Sequence, residues 1–133
     1  MRIAGDRGQA IVEFALVLPV LLAAAFAIIL VADLGVARLA LQRATAEGAR
    51  AGALTNDDEA IRQTLAAAVA PLAPERVATA IEPPAGEPPR SDDPRGAMLT
   101  VRASYELPLP LAFIGLPSLS VSATATRRIE WTP

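Results

Sequence analysis

From Ala10 to Ala32 the chain carries a run of apolar residues interrupted by one charge, Glu13. About 20 such residues cross a bilayer as a helix. Between Phe14 and Ala32 there is no polar residue at the three-to-four spacing that gives a soluble core helix its wet face. The pattern predicts a membrane-spanning helix over residues 9–32, bent near Pro19, where a proline removes one backbone hydrogen bond. The helical pattern continues over residues 33–53, free of proline and rich in alanine, arginine and leucine. Ala40, Ala44, Gly48 and Gly52 recur every fourth position and line one face, where small side chains let another backbone approach closely. Each helix glycine costs about 1 kcal/mol against alanine, so two on one ridge indicate a packing role. That ridge is expected to pack on the chain's own sheet or on a neighbouring subunit's helix.

After a turn at Leu54–Asn56, a second helix is expected over about Asp57–Val69, with Asn56 as its cap and Glu59 three residues on. Pro71 and Pro74 end it, and Arg76–Ile81 reads as a short strand. Residues 82–96 hold five prolines and two glycines with almost nothing to bury, which predicts a mobile, partly extended loop. The period then switches to two. Leu99, Val101, Ala103, Tyr105 and Leu107 share one face, and Thr100, Arg102, Ser104 and Glu106 share the other. A further strand follows over Leu119–Trp131, its phase interrupted at Arg127, and the two are expected to pair antiparallel. Their connection, Pro108–Ser118, is unusually apolar for a loop. It either folds back over the sheet or docks on membrane or partner, and charges at Phe113 and Ile114 would separate the two.

Charge changes the picture chiefly at Glu13. An ionised carboxylate at a membrane helix centre costs roughly 2.5–3.5 kcal/mol, less near an end, and such residues are usually functional. The bland reading is that Glu13 snorkels to the headgroups from a shallow position. Elsewhere, 12 arginines with no lysine are scattered against 14 acids, giving a net charge of -2 and no nucleic-acid footprint. With neither cysteine nor histidine, no serine beside an obvious base, no phosphate-cradling loop and no metal-ligand spacing, the residues offer no catalytic centre and no cofactor site. Asp57, Asp58 and Glu59 suit a helix start without any metal. Arg2 and Arg7 precede the apolar run and Arg38, Arg43 and Arg50 follow it, so basic residues alone do not orient the helix. A secretory signal peptide fits less well, because Ile28–Val31 continue the run past the small residues at 23–27.

Gly8, four residues, then Glu13-Phe14 at the head of an apolar helix resembles the processing site of type IV pilin-like proteins, in the form of the TadE-like pseudopilins. The Ala44–Ala53 segment and, loosely, the C-terminal strands share the likeness. The resemblance implies cleavage by a prepilin peptidase between Gly8 and Gln9, and subunit association through Glu13 and Phe14. It also implies a minor pilin-like role in assembling tight-adherence (Flp) pili. The implied partners are other pilins or pseudopilins, the assembly machinery and membrane lipid. The implied location is the bacterial inner membrane, with a cytoplasmic N-terminus and an extracytoplasmic domain. Physics gives the spacing a reason: cleavage creates an α-amino group about one helical turn from Glu13, so a cation can meet the anion in a low-dielectric setting.

The resulting expectation is an α+β protein of pilin-like design. It has a short leader (1–8), a transmembrane helix (9–32) and an extracytoplasmic domain (33–133) with a second helix and a three-stranded antiparallel sheet. Its role is expected to be assembly rather than enzymatic. The alternatives are a membrane-tethered binding domain that does not polymerise and a soluble module released by signal peptidase.

Overall fold

A computed structural model describes residues 4–112 and 115–132, with side chains from Gly8 onward. The chain is α+β. Helix α1 (Ala4–Thr55) is followed by helix α2 (Asp58–Ala68) and a 3₁₀ turn (Pro74–Arg76). Strands β1 (Val77–Glu82), β2 (Met98–Leu111) and β3 (Leu116–Arg128) complete the order. The strands form one antiparallel sheet in the order β1-β2-β3. Two compact units divide the chain, Met1–Asp33 and Leu34–Pro133.

In the second unit, the α1 residues Ala37, Ala40, Leu41, Ala44, Thr45, Gly48, Ala49, Gly52 and Ala53 are buried. Their spacing of three and four is that of a single helix face. Leu41 is the one large side chain among them, so neighbouring elements lie close to the helix backbone. Thr45 is tolerated inside because its hydroxyl donates to the Leu41 carbonyl at 2.9 Å. Against this face pack Ile61, Leu65 and Val69 of the α2 segment, Leu99, Val101, Ala103 and Tyr105 of β2, Val121 and Ala123 of β3, and Ile129.

The glycine ridge meets the chain's own α2 and β2. A Cβ built on Gly48 would stand 3.5 Å from Ile61 and Leu65 atoms, an ordinary contact. One on Gly52 would stand 2.5 Å from both Ile61 Cδ1 and Leu99 Cδ2, which are themselves fully buried. Gly52→Ala is therefore expected to destabilise the domain by about 1–2 kcal/mol, overpacking outweighing the gain in helix propensity. Gly48→Ala is expected to stabilise it by up to about 1 kcal/mol. Urea denaturation followed by the fluorescence of Trp131 reads both, and equal effects would contradict the contrast.

Three sequence expectations change here. First, α2 is capped by Asp57, not Asn56: Asp57 Oδ1 accepts from the Glu59 amide at 2.9 Å. Asn56 instead ends α1 in the left-handed conformation, φ 53°, with its amide donating to the Gly52 carbonyl at 2.9 Å. The α1 end is closed further by the amides of Glu130 and Trp131, which donate to the Ala53 carbonyl at 2.8 and 3.1 Å.

Second, segment 82–96 is a folded strap rather than an extended loop. Its turns are closed by amides such as those of Ser91 and Asp93, which donate to the carbonyls of Glu87 and Pro89, and its Arg90 is buried at 1% exposure. The guanidinium donates through Nε to Asn56 Oδ1 (2.9 Å), and through Nη1 to Asp58 Oδ1 (2.6 Å) and the Pro83 carbonyl (2.7 Å). Asn56 Nδ2 returns a bond to the Arg90 carbonyl at 3.2 Å, and the Ala85 amide donates to Asp58 Oδ2 at 3.2 Å. Composition failed to foresee this because the partners lie far along the chain.

Third, Pro108–Ser118 is not a loop over the sheet. β2 continues to Leu111 and β3 begins at Leu116, with Pro108 opposite Ser118, Leu111 opposite Leu116 and a bulge between. The hairpin turn is closed by the Gly115 amide donating to the Ala112 carbonyl at 3.1 Å, with Gly115 at φ 83°. Phe113 and Ile114 lie outside the described residues.

Candidate functional site at the head of the apolar helix

Gly8, Gln9, Glu13 and Phe14 all lie within α1. All four are exposed, Phe14 at 63%. Residues four apart are neighbours on a helix, and here Gln9 Nε2 donates to Glu13 Oε1 at 3.2 Å. The polar pair forms a single notch on an apolar surface: Ile11, Val12, Leu16, Val17, Val20, Leu21 and Leu22 are each more than half exposed. The window that qualifies α1 as long and apolar enough to cross a membrane has none of its residues buried. A core helix of a soluble protein would have most of them covered.

Gly8 has nothing within 4 Å of where a Cβ would stand, and its backbone is helical. Neither close packing nor a left-handed conformation asks for glycine at this position, although it weakens a helix by about 1 kcal/mol relative to alanine. Gly35 is equally unencumbered. What sets Gly8 apart is its fixed distance from Glu13.

The other sequence-selected residues, Ala40, Ala44, Gly48 and Gly52, are buried in the second unit and do not belong to this surface. No group of acidic side chains that would hold a metal ion occurs among the described residues. The groups that sequence reasoning missed are Asn56, Asp58 and Arg90, brought together across 32 and 34 residues of chain. No local signal pointed to this group, since Glu87 and Asp93 lie three residues either side of Arg90 and would read as its partners.

These features define a protein made of an exposed, membrane-length apolar helix and a small α+β domain. Residues 8–50 match the family model described as TadE-like protein, so over that stretch the chain is similar to that family, in agreement with the resemblance read from Gly8, Glu13 and Phe14. The match ends within α1 and does not extend to the strands, which the sequence reading had loosely included. No curated protein matches the chain, and no solved structure does.

Proposed function

We propose that this chain is a minor pilin-like membrane protein that contributes to assembly of tight-adherence (Flp-type) pili, and that prepilin peptidase cuts it after Gly8. The observation that carries the reading is the coincidence of the TadE-like match, beginning at Gly8, with Glu13 on an exposed apolar helix. The helix is anchored in the bacterial inner membrane with residues 1–8 in the cytoplasm and the sheet-bearing domain outside. Its partners are prepilin peptidase, other pilins or pseudopilins, the assembly machinery and lipid. The role is structural, and no step of bond chemistry is assigned to the chain itself.

The internal packing of Gly48 and Gly52 has a consequence for association. Their ridge is occupied by Ile61, Leu65 and Leu99, so contacts between subunits fall to the apolar face of residues 10–32 and its one carboxylate.

Intact mass of the native protein tests the processing step. The expected species begins at Gln9 and lacks the mass of Met1–Gly8, and Gly8→Leu is expected to leave the full-length chain. A native protein that retains Met1–Gly8 while pili assemble normally would overturn the reading in favour of an uncut tethered domain. Loss of the entire apolar run would instead indicate signal peptidase. A reporter fused at the C-terminus checks the orientation.

A further inference from the structure

The β2–β3 hairpin outruns the rest of the domain. β1 pairs with β2 only from Thr100 to Tyr105, whereas β2 and β3 remain paired to Leu111 and Leu116. Six strand residues beyond Tyr105 span about 20 Å at ~3.3 Å each, so a two-stranded arm extends past the three-stranded sheet. Leu107 and Leu119, paired across the strands, continue the core-facing side of the sheet, while beyond the bulge Leu111 pairs with Leu116, three residues from Leu119 and so on the opposite face; with Leu109 between, leucines line both faces of the arm. Leu116 and Leu119 are 52% and 43% exposed, and Leu107, Leu109 and Leu111 are half-buried. No charged residue occurs from Leu107 through Thr126.

Contacts within the second unit fix the end at which the arm emerges. Gly52 abuts Leu99, so β2 starts beside the C-terminal end of α1. At the other end, Ala70 and Pro71 share a cleft with Val36, Leu39, Ala40 and Arg43 of α1. From there the chain passes through the 3₁₀ turn, whose Arg76 guanidinium lies 5.4 Å from the Tyr105 ring centroid, into Val77, the partner of Tyr105. The arm therefore leaves the domain at the end where the chain enters it at Leu34. Leu34, at the start of this unit, packs on its core.

We propose that this leucine-bearing arm rests in the headgroup–acyl boundary of the bilayer that α1 crosses. The inference relies on the membrane-spanning reading of α1. Two features favour lipid over another protein strand. Pro108, Pro110 and Pro117 remove donors from the arm's edges and blunt strand addition. Leucines without any opposing charge suit an interfacial apolar layer. The open edges also set the depth: unpaired carbonyls are too costly in hydrocarbon for the arm to span it, so it lies at the boundary.

The chain contains no cysteine, so single cysteines can be introduced at Leu109, Leu111 and Leu116, with Leu21 and Thr124 as references. Each full-length variant is labelled with an environment-sensitive fluorophore and reconstituted alone in phosphatidylethanolamine–phosphatidylglycerol vesicles. The expected result is a blue shift with loss of most emission to shallow nitroxide-labelled lipid at 109, 111 and 116, quenching by lipid at 21, and quenching only by aqueous iodide at 124. Lipid quenching at 21 with iodide quenching at the three arm positions would overturn the proposal while leaving the membrane span intact. Arm positions shielded from both quenchers would mean that a second copy covers them, which also overturns it. Absence of lipid quenching at 21 would remove the spanning reading and the proposal together.

Discussion

Arg90→Met is expected to lower the unfolding free energy of the Leu34–Pro133 unit by about 3 kcal/mol, because removing one member of a buried ion pair costs roughly 3–5 kcal/mol. The side chain of Asp58 is 18% exposed, so the carboxylate left behind recovers some hydration, which argues for the lower end of that range. The loss goes beyond one charge pair. Arg90 ties the start of α2 through Asp58, the end of α1 through Asn56, and its own strap through the Pro83 carbonyl. Only Nη2 lacks a partner. Arg90→Lys keeps the charge but has no planar fork to serve three acceptors at once, so an intermediate loss is expected. Asp58→Ala leaves a fully buried guanidinium facing no anion and is expected to cost at least as much as Arg90→Met. Urea denaturation in detergent micelles, read through Trp131, measures all three. A change below about 1 kcal/mol for Arg90→Met, the scale of an ordinary surface pair, would show that the cluster carries little of the fold's stability.

What the sequence made legible follows from the range of each signal. The face of α1 from Ala37 to Ala53 and the alternation of Leu99–Tyr105 are local periodicities, and both appear in the structure at the predicted phase. The head of the apolar helix was equally legible, since Gly8, Gln9 and Glu13 are related by spacing along one element. The strap over 82–96 was not. Its order depends on bonds between residues 32 and 34 apart, and prolines that suggest mobility also stiffen a segment that is held at one buried point. The hairpin arm was misread for a related reason: Pro108, Pro110 and Pro117 argue against a central strand, yet both strands of an isolated arm are edges, where proline is tolerated. Arg127, which broke the phase of β3, faces solvent beyond the last buried strand position, Ala123. The small-residue ridge was readable as a packing surface, but its partner was not, because periodicity says that a face is covered without saying by what.

Glu13→Gln is expected to leave membrane insertion intact or improved and to reduce incorporation into the pilus assembly by roughly tenfold or more per contact. The substitution keeps the size of the side chain and its capacity to meet Gln9, now 3.2 Å away as a hydrogen-bond donor, while removing the charge. Two unit charges 4 Å apart attract by about 4 kcal/mol at an effective dielectric near 20. Even if desolvation consumes more than half of that, the remaining ~1.4 kcal/mol corresponds to a factor of ten in an equilibrium constant. The gain arises only when a cation is at hand, and the proposed cleavage after Gly8 would supply one at the amine of Gln9 on a neighbouring subunit. Gly8→Leu, which keeps that amine locked in a peptide bond, is therefore expected to show the same assembly defect as Glu13→Gln. The double variant is expected to be little worse than either, since both remove one attraction. Glu47→Gln, an exposed carboxylate of the α1 segment in the second unit, is the control expected to change nothing. Crosslinking between helices in the membrane, together with the amount of chain recovered in sheared pili, reads the effect. If Glu13→Gln is incorporated as well as the native chain, the carboxylate is a headgroup-seeking side chain with no role in subunit pairing.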